Sequence, residues 1–291
     1  NAGNRLSVRQ MGQAVPLADP DEPFVQPYSS SGKPIGQEFY NMMNPQSYVK
    51  GTVTRVEKNG IVVVDDKGEK HRIPIRHDYQ LNGNASITDR PLVKAGDTVV
   101  PGQVVAENNF SKNGNTALGK NLDVAYIPYH GYNHQDGLVI SESAARKMTS
   151  QHSYRHDFSN GRGDVYDLKK YMAHYPNRYN KDQIANLDEN GLPKVGSTIM
   201  PGDPITLKLT EQELSEDDIL RGNISRAFKR PMRDDAKIWD GDVPAVVKKV
   251  VKGKDGYQVV LGTTEPMQVG DKMCFVPDHD ILTSEGWKKV E

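Results

Sequence analysis

The chain has 291 residues, 36% of them hydrophobic, and its 37 basic residues face 38 acidic ones for a formal charge of -1. No apolar run reaches the length of a membrane span, no signal peptide is recognisable, and a single cysteine leaves neither a disulfide framework nor a Cys-rich zinc site. These features exclude membrane and disulfide-rich secreted classes and set the expectation of a soluble protein of the reducing cytoplasm. A balanced charge neither marks nor excludes a nucleic-acid binder, because a local patch or a larger assembly can supply the positive field.

The length leaves room for one large domain or two to three small ones. The sequence opens on Asn1 and closes on Glu291 inside a strand-like pattern, which reads as a piece of a longer chain. Glycine (26) and proline (18) are plentiful and helix-period stretches are few, so the expected class is mainly β, with short strands, many turns and short helices.

Residues 1–45 carry Pro16, Pro20, Pro23, Pro27 and Pro34, too many for a long helix or a central strand. This segment is expected to be irregular and draped over a larger surface. Residues 48–75 read as a strand meander: Tyr48 to Val56 alternates, Asn59-Gly60 turns, Ile61 to Val64 is β-branched, Asp66-Lys67-Gly68 turns, and His71 to Ile75 returns. Further along, Leu122 to Ile127 and Leu138 to Ile140 read as strands flanking a polar loop. Ser141 to Lys147 and Lys181 to Leu187 are short helix candidates, and Ser215-Glu216-Asp217-Asp218 is a capping-box start. Residues 158–183 are polar and carry no clear period. A second meander spans 244–261, with Lys254-Asp255-Gly256 as its turn.

There is also an internal echo. Residues 93–105 (Val-Lys-Ala-Gly-Asp-Thr-Val-Val-Pro-Gly-Gln-Val-Val) are matched by 193–205 (Pro-Lys-Val-Gly-Ser-Thr-Ile-Met-Pro-Gly-Asp-Pro-Ile), and Val269-Gly270-Asp271-Lys272-Met273 is a shorter third copy. A Gly-centred turn, alternating apolar positions and a Pro-Gly turn are the grammar of a β-barrel or sandwich hybrid.

The polar loop carries the chemistry. A carboxylate at Asp136 could hold a hard cation such as magnesium through oxygen. His130 and His134 are separated by Gly131, Tyr132 and Asn133, which argues against a shared helical face and against a zinc site. Five blocks here resemble, in order, those of the second-largest (β-type) subunit of multisubunit DNA-directed RNA polymerases. They are Met11 to Leu17, Asp89 to Asp97, Leu118 to Glu142, Asn186 to Asp203, and Gln268 to Met273.

The resemblance implies a double-psi β-barrel with an inserted sandwich/barrel-hybrid flap module. The expected division is 1–45 near the active centre, 46–156 first barrel part, 157–243 flap, and 244–273 return strands. It also implies two-metal nucleotidyl transfer, with Mg2+ held mainly by a partner β′-type subunit. The family's Glu-Asp pair near the second magnesium falls on Gln135 and Asp136. An amide at 135 has oxygen but no charge, which leaves the electrostatics to Asp136. Lys272 matches a lysine that contacts the RNA end. Arg5 is the candidate for the arginine that grips nucleotide phosphates, with Arg9 as rival.

Lys120 and a basic cluster at Arg226, Lys229 and Arg230 are candidate nucleic-acid contacts. The cluster could equally be a solvated loop balancing the acidic run 211–218. The implied partners are the β′-type and other polymerase subunits, template DNA, transcript RNA, nucleoside triphosphates and an initiation factor at the flap, with no membrane. The compact blocks and Gln135 lean toward a phage or virus enzyme, placing it in host cytoplasm or a virion.

After Met273 the pattern breaks. Residues 274–291 open on Cys274, pass through Asp278 and Asp280, and reach Leu282-Thr283 and Gly286, which is similar to the first block of inteins and other Hint domains. The resemblance implies that the Cys274 thiol attacks the Met273 carbonyl in an N-to-S acyl shift; a buried core cysteine is the ordinary reading, and the abrupt break at a catalytic motif with Cys274 as its first foreign residue outweighs it. The fragment is expected neither to polymerise nor to splice alone. A non-enzymatic β-rich module and a Hint-type self-processing protein are the alternatives.

Overall fold

A computed structural model describes residues 12–81, 83–211 and 232–273, with the backbone of the strands Asp280–Thr283 and Gly286–Lys289. The protein is mainly β. It divides into two compact units, Asn1–His152 with Thr264–Glu291, and Ser153–Thr263.

The first unit is built on an antiparallel sheet in the order Lys70–Pro74, Gly60–Asp65, Gly51–Glu57, Thr98–Val99. Period-two alternation places Val53, Ile61, Val63, Ile73 and Val99 on one face, where they bury with Val93 and Val105 into a single core. The register of the first hairpin shifts between Val53 and Arg55, so Thr54 is the extra residue of a β-bulge that bends the strand. Glu57 pairs with Gly60, which moves the tight turn one residue ahead of Asn59-Gly60. Gly60 begins the next strand, where a Cβ would stand 2.8 Å from the Arg72 guanidinium.

The proline-rich start is not wholly irregular. Ile35–Met43 is a helix with Pro34 at its N-cap, because the proline-free stretch follows a residue whose missing N–H costs nothing there. It buries Tyr40, and Asn44 beyond it accepts from the Asn108 amide at 2.7 Å and donates to Ser111 Oγ at 3.0 Å. Arg76 donates to both carboxylate oxygens of the fully buried Asp89 side chain and to the Met43 carbonyl, at 2.7–2.8 Å.

The second unit carries an antiparallel hairpin, Ala245–Lys252 with Gly256–Glu265, flanked by Thr198–Ile199 and Ser150–Ser159. Its core joins Phe158, Ile199, Ile205, Trp239, Val247, Val259 and Leu261. A smaller sheet, Asp164–Val165, Leu209–Glu211, Met232–Asp234, packs Leu207 and Leu209 against Tyr171 and Tyr179. Tyr171 lies on the helix Leu168–His174, so the unassigned stretch 158–183 contains one strand end, one short strand, one helix and the start of the next. The helices Glu142–Lys147 and Lys181–Ala185 form where expected. The first is capped by Ser141, the second by an Asn180/Gln183 capping box, and the second stops short of Leu187. The capping-box start at Ser215 lies outside the described residues.

Two predicted strands are corrected. Residues 122–127 and 138–140 pair with no strand and are irregular. The alternation is present, but no neighbouring ladder meets it, and Tyr126, Ile127, Leu138 and Val139 are exposed.

The echo is structural. The Gly96 amide donates to the Val53 carbonyl at 2.7 Å and Val53 returns its amide to Asp97 at 2.8 Å; Gly196 and Ser197 do the same with Val247, at 2.8 and 2.9 Å. Thr98 and Val99 pair with Thr52 and Gly51, as Thr198 and Ile199 pair with Val246 and Ala245. The second hairpin shifts register between Val247 and Lys249, the same place relative to the turn as in the first.

Candidate nucleotide and RNA site

Between Ile127 and Gly137 the chain folds on its own hydrogen bonds. Asn133 is the clamp: its Oδ1 accepts from the Tyr129 amide at 2.9 Å and its Nδ2 donates to the Ile127 carbonyl at 2.6 Å. The Tyr132 amide closes onto the Tyr129 carbonyl at 2.9 Å and Gly137 onto His134 at 3.2 Å. Such a turn needs left-handed backbone, found at His130 (φ 50°), Gly131 (φ 78°) and Gln135 (φ 56°). Gly137 is required for space, since a Cβ there would sit 2.9 Å from the Tyr132 carbonyl oxygen. The result presents Gln135 and Asp136 at the exposed tip. Gln135 holds a conformation costing on the order of 1–3 kcal/mol for a non-glycine residue. His130 lies edge-on to Tyr129, ring centroids 4.9 Å apart.

Lys272 follows the Gly270-Asp271 turn of the third copy and is exposed. Lys120, a candidate for nucleic-acid contact, is placed differently. Its ammonium lies 2.8 Å from Asp19 and 2.9 Å from Asp21, with 9% of the side chain exposed. Hydrogen bonds from Lys112 and Lys120 hold the Asp19 carboxyl down to about 2. Burial pulls the Lys120 ammonium down, but its bonds to both carboxylates outweigh that and leave it above its usual value. As folded, Lys120 ties the N-terminal segment to residues 119–121, with two of its three ammonium hydrogens on carboxylates and only 9% of the side chain exposed. Arg5, Arg226, Lys229, Arg230 and Cys274, with Arg9, lie outside the described residues.

Among the described residues, the one group of three metal-type ligands is Asp65, Glu69 and His71. Asp65 accepts from the Lys67 and Glu69 amides at 2.9 Å and from His71 at 3.0 Å, so the group closes a hairpin turn without an ion. Asp136 belongs to no such group. One carboxylate beside one amide oxygen suits a magnesium that keeps waters and substrate phosphates as its other ligands.

Sequence reasoning missed Asn133 as the residue that shapes the tip. The signal was present: an Asn four residues after a Tyr, between Gly131 and Gly137, is a side chain suited to bonding nearby backbone.

A mainly β chain carrying this loop and a repeated Gly-Asp turn defines a class. The pattern describing RNA polymerase Rpb2, domain 6, matches residues 46–276, and the chain belongs to that family. It is 31% identical over 285 residues to a protein of Prochlorococcus marinus named DNA-directed RNA polymerase subunit beta, covering 90% of this chain and 25% of that protein. A protein of the same name from Synechococcus sp. is 32% identical over 288 residues, covering 92% of this chain and 25% of that protein. The chain thus spans about a quarter of the length of the curated relatives it matches.

Proposed function

We propose that the chain is a working part of the β-type subunit of a DNA-directed RNA polymerase, with Asp136 facing the incoming nucleotide and Lys272 facing the RNA end. The observation that carries this reading is the family match over 46–276, within which the Asn133-clamped tip exposes Gln135 and Asp136. Bound Mg2+ would supply the positive charge that polarises the α-phosphate and eases departure of pyrophosphate. Asp136 would help hold that ion through its carboxylate oxygens, directly or across a water. Gln135 adds a neutral oxygen and an N–H donor, so it orients without attracting. Lys272 places an ammonium where phosphate charge accumulates. The β′-type subunit would supply the main magnesium ligands. Template, transcript and nucleotides would lie between the two subunits, in a double-psi barrel arrangement.

Residues 157–243 are proposed as the flap, where Arg226, Lys229 and Arg230 would touch nucleic acid beside an initiation factor. Lys120, its charge already met by Asp19 and Asp21, would join them through its remaining ammonium hydrogen. Cys274 is proposed as the nucleophile of an intein. In support, the family match ends at residue 276, and among the described residues the hairpin Asp280–Thr283/Gly286–Lys289 pairs with no other strand.

The experiment is nucleotide addition by the complete, assembled polymerase. D136A should reduce the addition rate by roughly 100-fold or more, the scale of losing one preorganised electrostatic contact in a site of this kind. A rate within threefold of the parent would reject the assignment. For the intein, the full precursor should splice and its C274A variant should not, read as the ligated product on a denaturing gel.

A further inference from the structure

The third turn, Gln268-Val269-Gly270-Asp271, is built like Lys94-Ala95-Gly96-Asp97. Gly270 and Gly96 share a φ of 99°. The Asp271 amide returns to the Gln268 carbonyl at 3.2 Å, as Asp97 does to Lys94 at 3.1 Å. The Asp271 carboxylate accepts from the Gln268 amide at 2.8 Å, and that of Asp97 from the Lys94 amide at 2.7 Å. This second bond ties the two ends of the turn together and fixes the direction in which the chain leaves it. In the first two copies the chain leaves as a strand with a threonine outward and a β-branched residue inward: Thr98 exposed and Val99 buried, Thr198 exposed and Ile199 buried. The third copy keeps the order, with Lys272 exposed and Met273 half-buried.

We infer that Asp271 is a positioning residue for Lys272: by bonding the Gln268 amide it fixes the direction in which the chain leaves the turn and holds Lys272 outward, at the place a threonine occupies in the other copies, although residues 271–273 themselves form no strand. The inference rests on the proposed role of Lys272 at the RNA end. A lysine stem has four rotatable bonds, so the backbone can fix only the direction in which it starts; an unlocked turn would leave the ammonium to search. The second copy supplies the contrast. Ser197 stands where the aspartates stand, and its hydroxyl donates to the Lys194 carbonyl at 2.7 Å instead of accepting from the Lys194 amide.

The test is single-nucleotide addition by the complete polymerase carrying the spliced subunit, with rates normalised to assembled active sites. D271A should lower kcat by roughly 10- to 100-fold, with the nucleotide KM little changed. D271N keeps an oxygen able to accept from the Gln268 amide and should stay within about threefold of the parent. D271A/K272A should be no worse than K272A alone, because both act through one ammonium. If K272A is itself near the parent rate, the Lys272 reading fails and Asp271 has nothing to position. If K272A is impaired but D271A is not, the positioning role alone is overturned. Equal impairment of D271A and D271N would assign the effect to charge and overturn it too, as would additivity in the double variant. Should D271A fail to assemble, D271S, which copies Ser197, carries the test: an intermediate loss is expected and full parity overturns the inference.

Discussion

The copy at 93–105 and the copy at 193–205 solve one backbone problem with different side chains. Both return a turn amide to a hairpin strand just before its bulge. Both then use a Pro-Gly turn whose glycine amide donates outward at 2.8 Å, to the Ser47 carbonyl in the first unit and to the Trp239 carbonyl in the second. Where the first places a small buried serine, the second places an indole that is 2% exposed and donates to the Val243 carbonyl at 2.7 Å. The backbone scheme is shared because it depends on Gly and Pro at fixed offsets. The packing differs because each hairpin must fill its own core.

That comparison can be broken in several places. The largest expected effect is at the side chain the copies do not share: W239A should cost about 3–5 kcal/mol, and chemical denaturation followed by hydrogen exchange should show the loss in Ser153–Thr263 only. The loss of protection spreading equally to residues 51–108 would mean the units do not unfold separately.

D89A should cost a similar amount, about 3–5 kcal/mol, in the first unit, because it leaves the Arg76 guanidinium facing the emptied, buried position. The same measurement reads it, and a loss under about 1 kcal/mol would show that Arg76 finds solvent.

Smaller and more telling is the pair G96A and G196A. Both glycines have positive φ, 99° and 86°, and neither would bring a Cβ within 4 Å of another atom. Conformational strain alone should then cost about 1–2 kcal/mol in each. Unequal costs would mean the two turns are not the same device.

The smallest effect is on acid stability. Hydrogen bonds from Lys112 and Lys120 hold Asp19 at about 2. In the second unit, burial would raise Asp164, but its bonds from Lys208 and others outweigh this and hold it low. A carboxyl depressed on folding adds stability that is present above its unfolded value of about 3.9 and is lost as pH falls through the folded value. The first unit should therefore lose stability between about pH 4 and pH 2 and the second as pH falls below about 4, and K112A should shrink the acid-dependent loss in the first unit only, as read by thermal melts across that range.

Much of this architecture was readable in the residues. The meanders at 48–75 and 244–261 and the echo were legible because β-branched alternation and Gly-Asp or Pro-Gly turns encode strands locally. Residues 122–127 misled because alternation reports a willingness to pair, whereas a strand also needs a neighbour at the right distance. The helix Leu168–His174 went unassigned, although Tyr171 and Tyr175 stand one helical turn apart with ring centroids separated by 5.5 Å; their polar neighbours hid the period. At the candidate site, the residue types were legible and the geometry was not. Lys120 reads as a free cation until two aspartates a hundred positions earlier fold onto it.

The neighbouring strands Ser150–Ser159 and Gly256–Glu265 carry one more implication. Ser150 Oγ donates to the Glu265 carbonyl at 3.4 Å, and at the far end the Asn160 amide donates to the Asp255 carbonyl at 2.8 Å. The chain therefore goes into the second unit and comes out of it through one doorway. A cassette hung on such a doorway can be shortened, enlarged or exchanged without changing the span its host must bridge. Lineages could then remodel whatever this module meets while leaving the surrounding framework untouched.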